Sequence, residues 1–242
     1  APRAWNAAAS IELNNALTTI NVGFSRSDDQ LSPTDPQLSV NRQLADGQEK
    51  KRDEVYVGVS QVLNKYEVIQ ITAGYGLSEG YLSDPYRTID RRPDERSSQT
   101  LNLMYRFYVA PLAGALHWDY RYYTDNWDVD SHTLEARWLQ KLGRTLRLTL
   151  GGRYYRQSAA RFYSLAPTDS GGLQSSDARL SSYGALSIEA GVHWRLSQAL
   201  ELSLHWSAYQ SQERLGPDGS DAPEAPALVD YSVSRMGLLY RY

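Results

Sequence analysis

The sequence predicts an all-β fold of the transmembrane antiparallel β-barrel class, and three observations predict it. Apolar and polar residues alternate with a period of two along most of the chain. The alternating segments run to about ten residues, and the connections between them are by turns very short and very long. A strand sends successive side chains to opposite faces, so such segments have one apolar and one polar face. Short turns on one side and long loops on the other mark strands that cross an outer membrane, where about 9–11 tilted residues suffice.

The clearest segment lies near the end of the chain. Leu200, Leu202, Leu204, Trp206 and Ala208 alternate with Glu201, Ser203, His205, Ser207 and Tyr209. A helix would scatter those leucines around its circumference. Leu186 to Arg195, Leu146 to Tyr155, Leu116 to Tyr123 and Leu101 to Tyr108 repeat the pattern. Weaker copies cover Trp5–Leu13, Leu17–Ser25, Glu54–Leu63, Tyr66–Leu77, Ser131–Leu142 and Val229–Tyr242, giving about eleven strands in one domain. Asn14-Asn15, Asn64-Lys65, Ala110-Pro111, Gly143-Arg144 and Ser197-Gln198 read as tight turns. The stretches 26–52, 78–97, 124–130, 157–181 and 211–228 read as long polar loops. A soluble β-sandwich also alternates, but its strands are usually five or six residues long.

If the short turns face the periplasm, the last strand runs inward and ends at Tyr242, and the first strand at Trp5 also runs inward. Single-chain bacterial barrels have an even strand number. The reading therefore expects at least twelve strands in the complete protein, with one or more preceding Ala1. Gly237, Tyr240 and Tyr242 resemble the C-terminal signal read by the barrel assembly machinery.

Composition agrees with this reading. Of 242 residues, 41% are hydrophobic and 22% charged, and 18 Tyr and 6 Trp stand against 3 Phe and 2 Met. Tyr and Trp suit membrane–water interfaces, as in an aromatic belt. The net charge of -3 argues against a nucleic-acid partner. The absence of cysteine excludes disulfide scaffolds and Cys-based metal sites.

The runs GYLSDPYR (80–87), RRPDER (91–96), LHWDYRYYTDNWDVDSHTLEARW (116–138) and RYYRQSAARFY (153–163) resemble a family of bacterial outer-membrane barrel proteins, the domain of unknown function 3570. The resemblance implies an outer-membrane location in a Gram-negative bacterium and no particular activity. It also implies further N-terminal sequence and a neighbourhood of lipoproteins, thioredoxin-like and flavin-attaching proteins. This neighbourhood implies a lipoprotein or extracytoplasmic redox protein as partner, beside outer-membrane lipid, lipopolysaccharide and the barrel assembly machinery.

Several constellations are candidates for chemistry. Arg106, His117, Asp119, Arg121, Glu135, Arg137, Arg147, Arg153, Glu189, His193, Arg195, Glu201 and His205 all occupy polar-face positions. Opposite charges on adjacent strands lie about 5 Å apart and can pair. They would either fill a lumen with salt bridges or line a water-filled, selective path, as in a porin-like transport protein. Asp125, Asp128 and Asp130 crowd one loop with oxygen ligands suited to Ca²⁺, though without the glycine and terminal Glu of an EF-hand; no other cofactor is expected. Asp130 and His132 share a strand face and could form an omptin-like hydrolytic dyad, yet that register places His132 beside lipid-facing Leu134. Tyr120, Tyr122, Tyr123, Tyr154 and Tyr155 form a candidate ligand-stacking platform or else belt and packing. The Arg91–Arg96 run and Arg52 offer forked donors for lipopolysaccharide phosphates. The expectation is a non-enzymatic barrel serving as a channel or as a scaffold for a secreted or surface partner. A surface hydrolase is the alternative.

Overall fold

A computed structural model describes residues 3–168, 171–217, 219 and 228–241. Its strands are β1 (Arg3–Leu13), β2 (Thr18–Gln30), β3 (Glu49–Asn64), β4 (Glu67–Gly80), β5 (Asp90–Arg91), β6 (Glu95–Val109), β7 (Gly114–Asp125), β8 (Asp130–Leu142), β9 (Leu146–Gln157), β10 (Gln174–Ser175), β11 (Tyr183–Arg195), β12 (Leu200–Gln212) and β13 (Asp230–Tyr240). One short helix, α1 (Val40–Ala45), lies in the β2–β3 loop and was not foreseen from the sequence. Ser39 caps it by accepting a hydrogen bond from the Arg42 amide.

Eleven strands form one sheet in the order β1-β2-β3-β4-β6-β7-β8-β9-β11-β12-β13, every neighbouring pair antiparallel. No helix among the described residues is long and apolar enough to cross a membrane. The eleven strands are 11–16 residues long, enough to span a bilayer with residues to spare. The sheet is not closed: β1 and β13 are its edges, and an odd strand count makes these two run in the same direction.

Register carries the alternation across the whole sheet. Ile11, Ile20, Val59, Ile71, Leu103, Tyr120, Leu134, Tyr154 and Leu186 stand opposite one another in a single row over nine strands. One step along the strands, a row of opposite character runs Asp119, Glu135, Arg153, Ser187 and Tyr209. A one-residue slip would reverse every face, so this pattern fixes the register.

The sheet is apolar on its outside. Leu150 is 60% exposed, Ile188 54% and Met236 77%. Among the described residues the buried hydrophobics are seven, and five of them, Trp127, Val129, Ala160, Phe162 and Leu180, form one cluster outside the sheet. A soluble sandwich would bury its apolar strand faces against a second layer. An exposed apolar face of this extent needs a lipid surrounding.

The two ends of the sheet differ as the sequence predicts. Asn14, Asn15 and Ala16 all take positive φ (52°, 55° and 64°) in the β1–β2 turn, and Gly143 (64°) serves the β8–β9 turn. Asn and Gly tolerate that left-handed region best. The β7–β8 connection departs from expectation: Asp125 and Asp130 already belong to strands, which leaves a four-residue turn (126–129) instead of a long loop.

Candidate functional site

The long-loop end holds the molecule's only apolar core among the described residues, and it is built from segments far apart in sequence. Trp127 is 2% exposed. Its indole N–H donates to the Glu95 carbonyl at 2.8 Å, its ring meets Phe162 edge-on at 5.1 Å, and the Arg96 guanidinium lies 4.4 Å from its centroid. Val129, Ala160 and Leu180 complete the core, and Leu82, Tyr123 and Tyr163 pack against it. Tyr123 projects from the polar face, so the folded loops lean over that face.

Beside this core lies a buried ionic cluster. The strands β5 and β10 pair, which sets Asp90 opposite Ser175. Asp90 accepts from the Ser175 hydroxyl at 2.6 Å, from Arg92 Nε at 2.8 Å and from the Asp84 amide at 2.9 Å. Asp177 takes Arg92 at 2.9 Å, Arg179 at 2.6 Å and Arg87 at 3.5 Å. Two buried carboxylates thus clasp three arginines from both loops, which offsets their desolvation. Burial acts to raise the Asp177 pKa, but hydrogen bonds from the Arg179 side chain and amide, with the charges of Arg179 and Arg92, outweigh it and hold the carboxyl well below its ordinary range. A depressed carboxyl pKa stabilises the fold above the unfolded value of about 4 and loses that contribution only as pH falls through the folded value. Protease resistance of these loops is therefore expected to stay flat from pH 7 to about pH 4 and to fall only in stronger acid.

This cluster changes the reading of the arginine run. Arg92 is committed to Asp90 and Asp177, Arg96 to Asp125 at 2.7 Å, and Arg52 to Glu54. These forks close the fold on itself. The signal was an Asp-x-Arg spacing in both loops, Asp90–Arg92 and Asp177–Arg179, where each aspartate accepts from the arginine two residues on.

The three calcium candidates diverge. The Asp125 carboxylate accepts from Arg96, the Tyr123 hydroxyl at 2.7 Å and the Trp127 and Val129 amides at 2.9 and 3.1 Å. It organises the turn, and its lone pairs are taken. Asp128 is exposed, 3.8 Å from Arg161, and Asp130 accepts from the Tyr122 hydroxyl at 3.1 Å. Among the described residues no group of three His, Asp or Glu is placed to hold a metal ion.

Asp130 and His132 both fall on the apolar face, in register with Thr124 and Tyr122. His132 Nδ1 lies 2.7 Å from the Tyr120 hydroxyl, and its ring packs against Tyr120 and Tyr122. Each member of the dyad thus has a tyrosine for its partner. The tyrosine platform also splits: Tyr120, Tyr122 and Tyr154 face outward, whereas Tyr123 and Tyr155 face the polar side.

The thirteen polar-face candidates do share one face. Arg106, His117, Arg137, Gly151 and Glu189 stand in one row, and Arg147 and His193 in another. Arg106 bonds Asp119 at 2.8 Å, and Arg137 bonds Glu135 at 3.1 Å. Arg137 also reaches across β9 to Glu189, whose other oxygen lies 3.3 Å from His205. Glu201 gathers Arg195 at 3.1 Å with His193 and Arg241 at 3.3 Å each, and Arg147 meets His193 at 3.1 Å. Arg121 and Arg153 have no carboxylate at ion-pair distance among the described residues.

The Arg137–Glu189 pair can span a strand because Gly151 lies between them. A Cβ there would sit 2.6 Å from Glu189 Oε1 and 2.8 Å from its Cγ. Gly151→Val is expected to displace Glu189 and to cost about 1–3 kcal/mol, read as a lower thermal unfolding midpoint of the folded protein in detergent. On β13, Gly237 faces Ser203 and Tyr240 stands opposite Leu200, 66% exposed on the apolar side. Tyr242 lies outside the described residues.

An all-antiparallel sheet with an exposed apolar face, an ionic opposite face and folded loops at one end defines the outer-membrane β-barrel class. The chain belongs to the family described as protein of unknown function (DUF3570), which matches residues 2–220. No curated protein matches. Among solved structures, the ferric enterobactin receptor PfeA in complex with BCV-L6 aligns with TM-score 0.55 and 10% identity over 87% of this chain and 37% of the receptor. The siderophore receptor PirA of Acinetobacter baumannii gives 0.54 and 9% over 87% and 36%. The trimer form of OmpT, an outer membrane protein of Vibrio cholerae, gives 0.52 and 10% over 98% and 64%. At these identities the likeness shows the fold. The chain spans 36–64% of these three proteins' lengths.

Proposed function

We propose that this chain is the wall of an outer-membrane channel, with the polar face lining an aqueous lumen and the folded loops narrowing its mouth. The observation that carries this reading is the segregation of faces. Charged residues occupy the same side on adjacent strands, held in ion pairs whose side chains stay partly accessible (Arg137 38%, Glu135 32%). In hydrocarbon the edges β1 and β13 must find partners, because unpaired backbone groups there are costly. Direct pairing of these parallel-running edges would make a parallel seam, so antiparallel closure takes an odd number of further strands.

A scaffold for a secreted or surface partner is the second reading. It is favoured by Leu38, Val40 and Leu44, which are 58–68% exposed on and beside α1 in the β2–β3 loop. Planar-bilayer recording of the purified full-length protein separates the two. The channel reading expects discrete conductance steps; a silent, folded protein supports the scaffold instead.

A further inference from the structure

Four strands that are neighbours in the sheet each place one tyrosine on the polar face. These are Tyr155 on β9, Tyr183 on β11, Tyr209 on β12 and Tyr231 on β13. The rings come in two contacts: Tyr155 and Tyr183 lie 5.6 Å apart at 48°, and Tyr209 and Tyr231 lie 5.2 Å apart at 21°. Tyr155 stands opposite Ala185 and Tyr209 opposite Ser187, two residues apart along β11, which brings the two pairs to nearly one level. The result is a lane of rings just below the folded loops. It crosses three interstrand spacings, about 14 Å in all.

Charge is uneven beside this lane. Apart from the Arg96–Asp125 pair, five polar-face arginines of β6 to β9, Arg106, Arg121, Arg137, Arg147 and Arg153, stand against three carboxylates, Asp119 and Glu135 on the same strands and Glu189 on β11. Arg106 takes the first, and Arg137 takes the other two. Glu135 stands opposite Arg153 in register, yet its bond goes to Arg137. Arg121 and Arg153 have no carboxylate at ion-pair distance among the described residues, and the Arg153 guanidinium lies 5.5 Å from the Tyr155 centroid. Arg121 also lines an open cavity of about 400 Å³ with Tyr123, Tyr56 and the Arg52–Glu54 ion pair. The Tyr56 ring packs over Gly23, where a Cβ would lie 2.3 Å from it.

We infer that this lane binds an acidic oligosaccharide, its sugar rings stacking on Tyr155, Tyr183, Tyr209 and Tyr231 and its carboxylates meeting Arg121 and Arg153. Tyrosine offers an apolar face for the C–H side of a sugar and a hydroxyl edge for its alcohols. A lane of tilted rings over several strands suits a short chain of rings more than one planar ring. Arginine without a carboxylate partner supplies a forked donor for a carboxylate. The inference rests on the aqueous-lumen reading, and its test does not depend on conductance.

Isothermal titration of the folded, detergent-solubilised full-length protein would use a trimer of galacturonate, neutral maltotriose and salicylate as probes. The galacturonate trimer is expected to bind at least about tenfold tighter than maltotriose, the worth of one charge-assisted hydrogen bond. The Arg121→Gln/Arg153→Gln double variant should erase that preference, and Tyr209→Leu should weaken both sugars. Circular dichroism confirms that each variant is folded. The inference is overturned if neither sugar binds at millimolar concentration, if salicylate outcompetes the trimer, or if folded variants bind like the parent. A protein that binds the trimer but passes no current keeps this site and loses the channel; one that conducts but ignores the trimer does the reverse.

Discussion

Trp127→Ala will free the loop end from the barrel. The indole is 2% exposed, and it ties β6, the β7–β8 turn and the β9–β11 loop through Glu95, Val129 and Phe162. Truncating a buried tryptophan costs about 3–5 kcal/mol. Most of that falls on the loops, because the sheet holds itself by ten antiparallel pairings that do not involve this side chain. Limited proteolysis should therefore cut within 158–182 and 81–94 in the variant while the strands survive. If the lumen reading holds, open-channel current should also rise as the constriction loosens. Unchanged protease resistance would show that the loops do not depend on this core.

Asp177→Ala will have an effect of similar size by a different route. The carboxylate is the meeting point of Arg87, Arg92 and Arg179, and its side chain is 2% exposed. Removing one partner of a buried ion cluster leaves the others desolvated and uncompensated, at about 3–5 kcal/mol. Arg179 is 75% exposed and escapes to water, whereas Arg92 at 11% cannot and is left with Asp90 alone. Asp177→Ala/Arg92→Leu also strips the buried Asp90 of its arginine and should be more protease-sensitive than the single variant. A double variant as sensitive as the single would place the effect elsewhere.

How much of this was legible in the sequence follows from the physics of each part. Strands declare themselves through period two, so the two faces could be read from runs such as Leu200 to Tyr209, and the register bears out both. Strand ends were read short: β6 begins at Glu95 and β3 at Glu49, because charged residues there extend the ladder past the apolar band. The loop core was not legible. It joins Asp90 to Ser175 and Trp127 to Phe162 across long separations, with no periodicity to announce it. The runs that carry the family resemblance, 80–87, 91–96 and 153–163, largely coincide with this core and its ionic clasp, so their peculiarity has a structural cause. Parity also divided what adjacency suggested was united. Asp125 and Asp130 lie on opposite faces of a turn, and Tyr122 and Tyr123 on opposite faces of one strand.

The most direct test of the account is which face meets water. The chain contains no cysteine, so each single substitution places the one thiol among these 242 residues. Ser187→Cys and Ser203→Cys lie on the ionic face of β11 and β12; Ile188→Cys and Leu204→Cys lie one residue further along, on the apolar face. In intact outer membranes a small, charged thiol reagent should modify positions 187 and 203 and spare 188 and 204. Equal labelling of all four positions, or labelling of 188 and 204 alone, would contradict a lipid-facing apolar side and an aqueous ionic one.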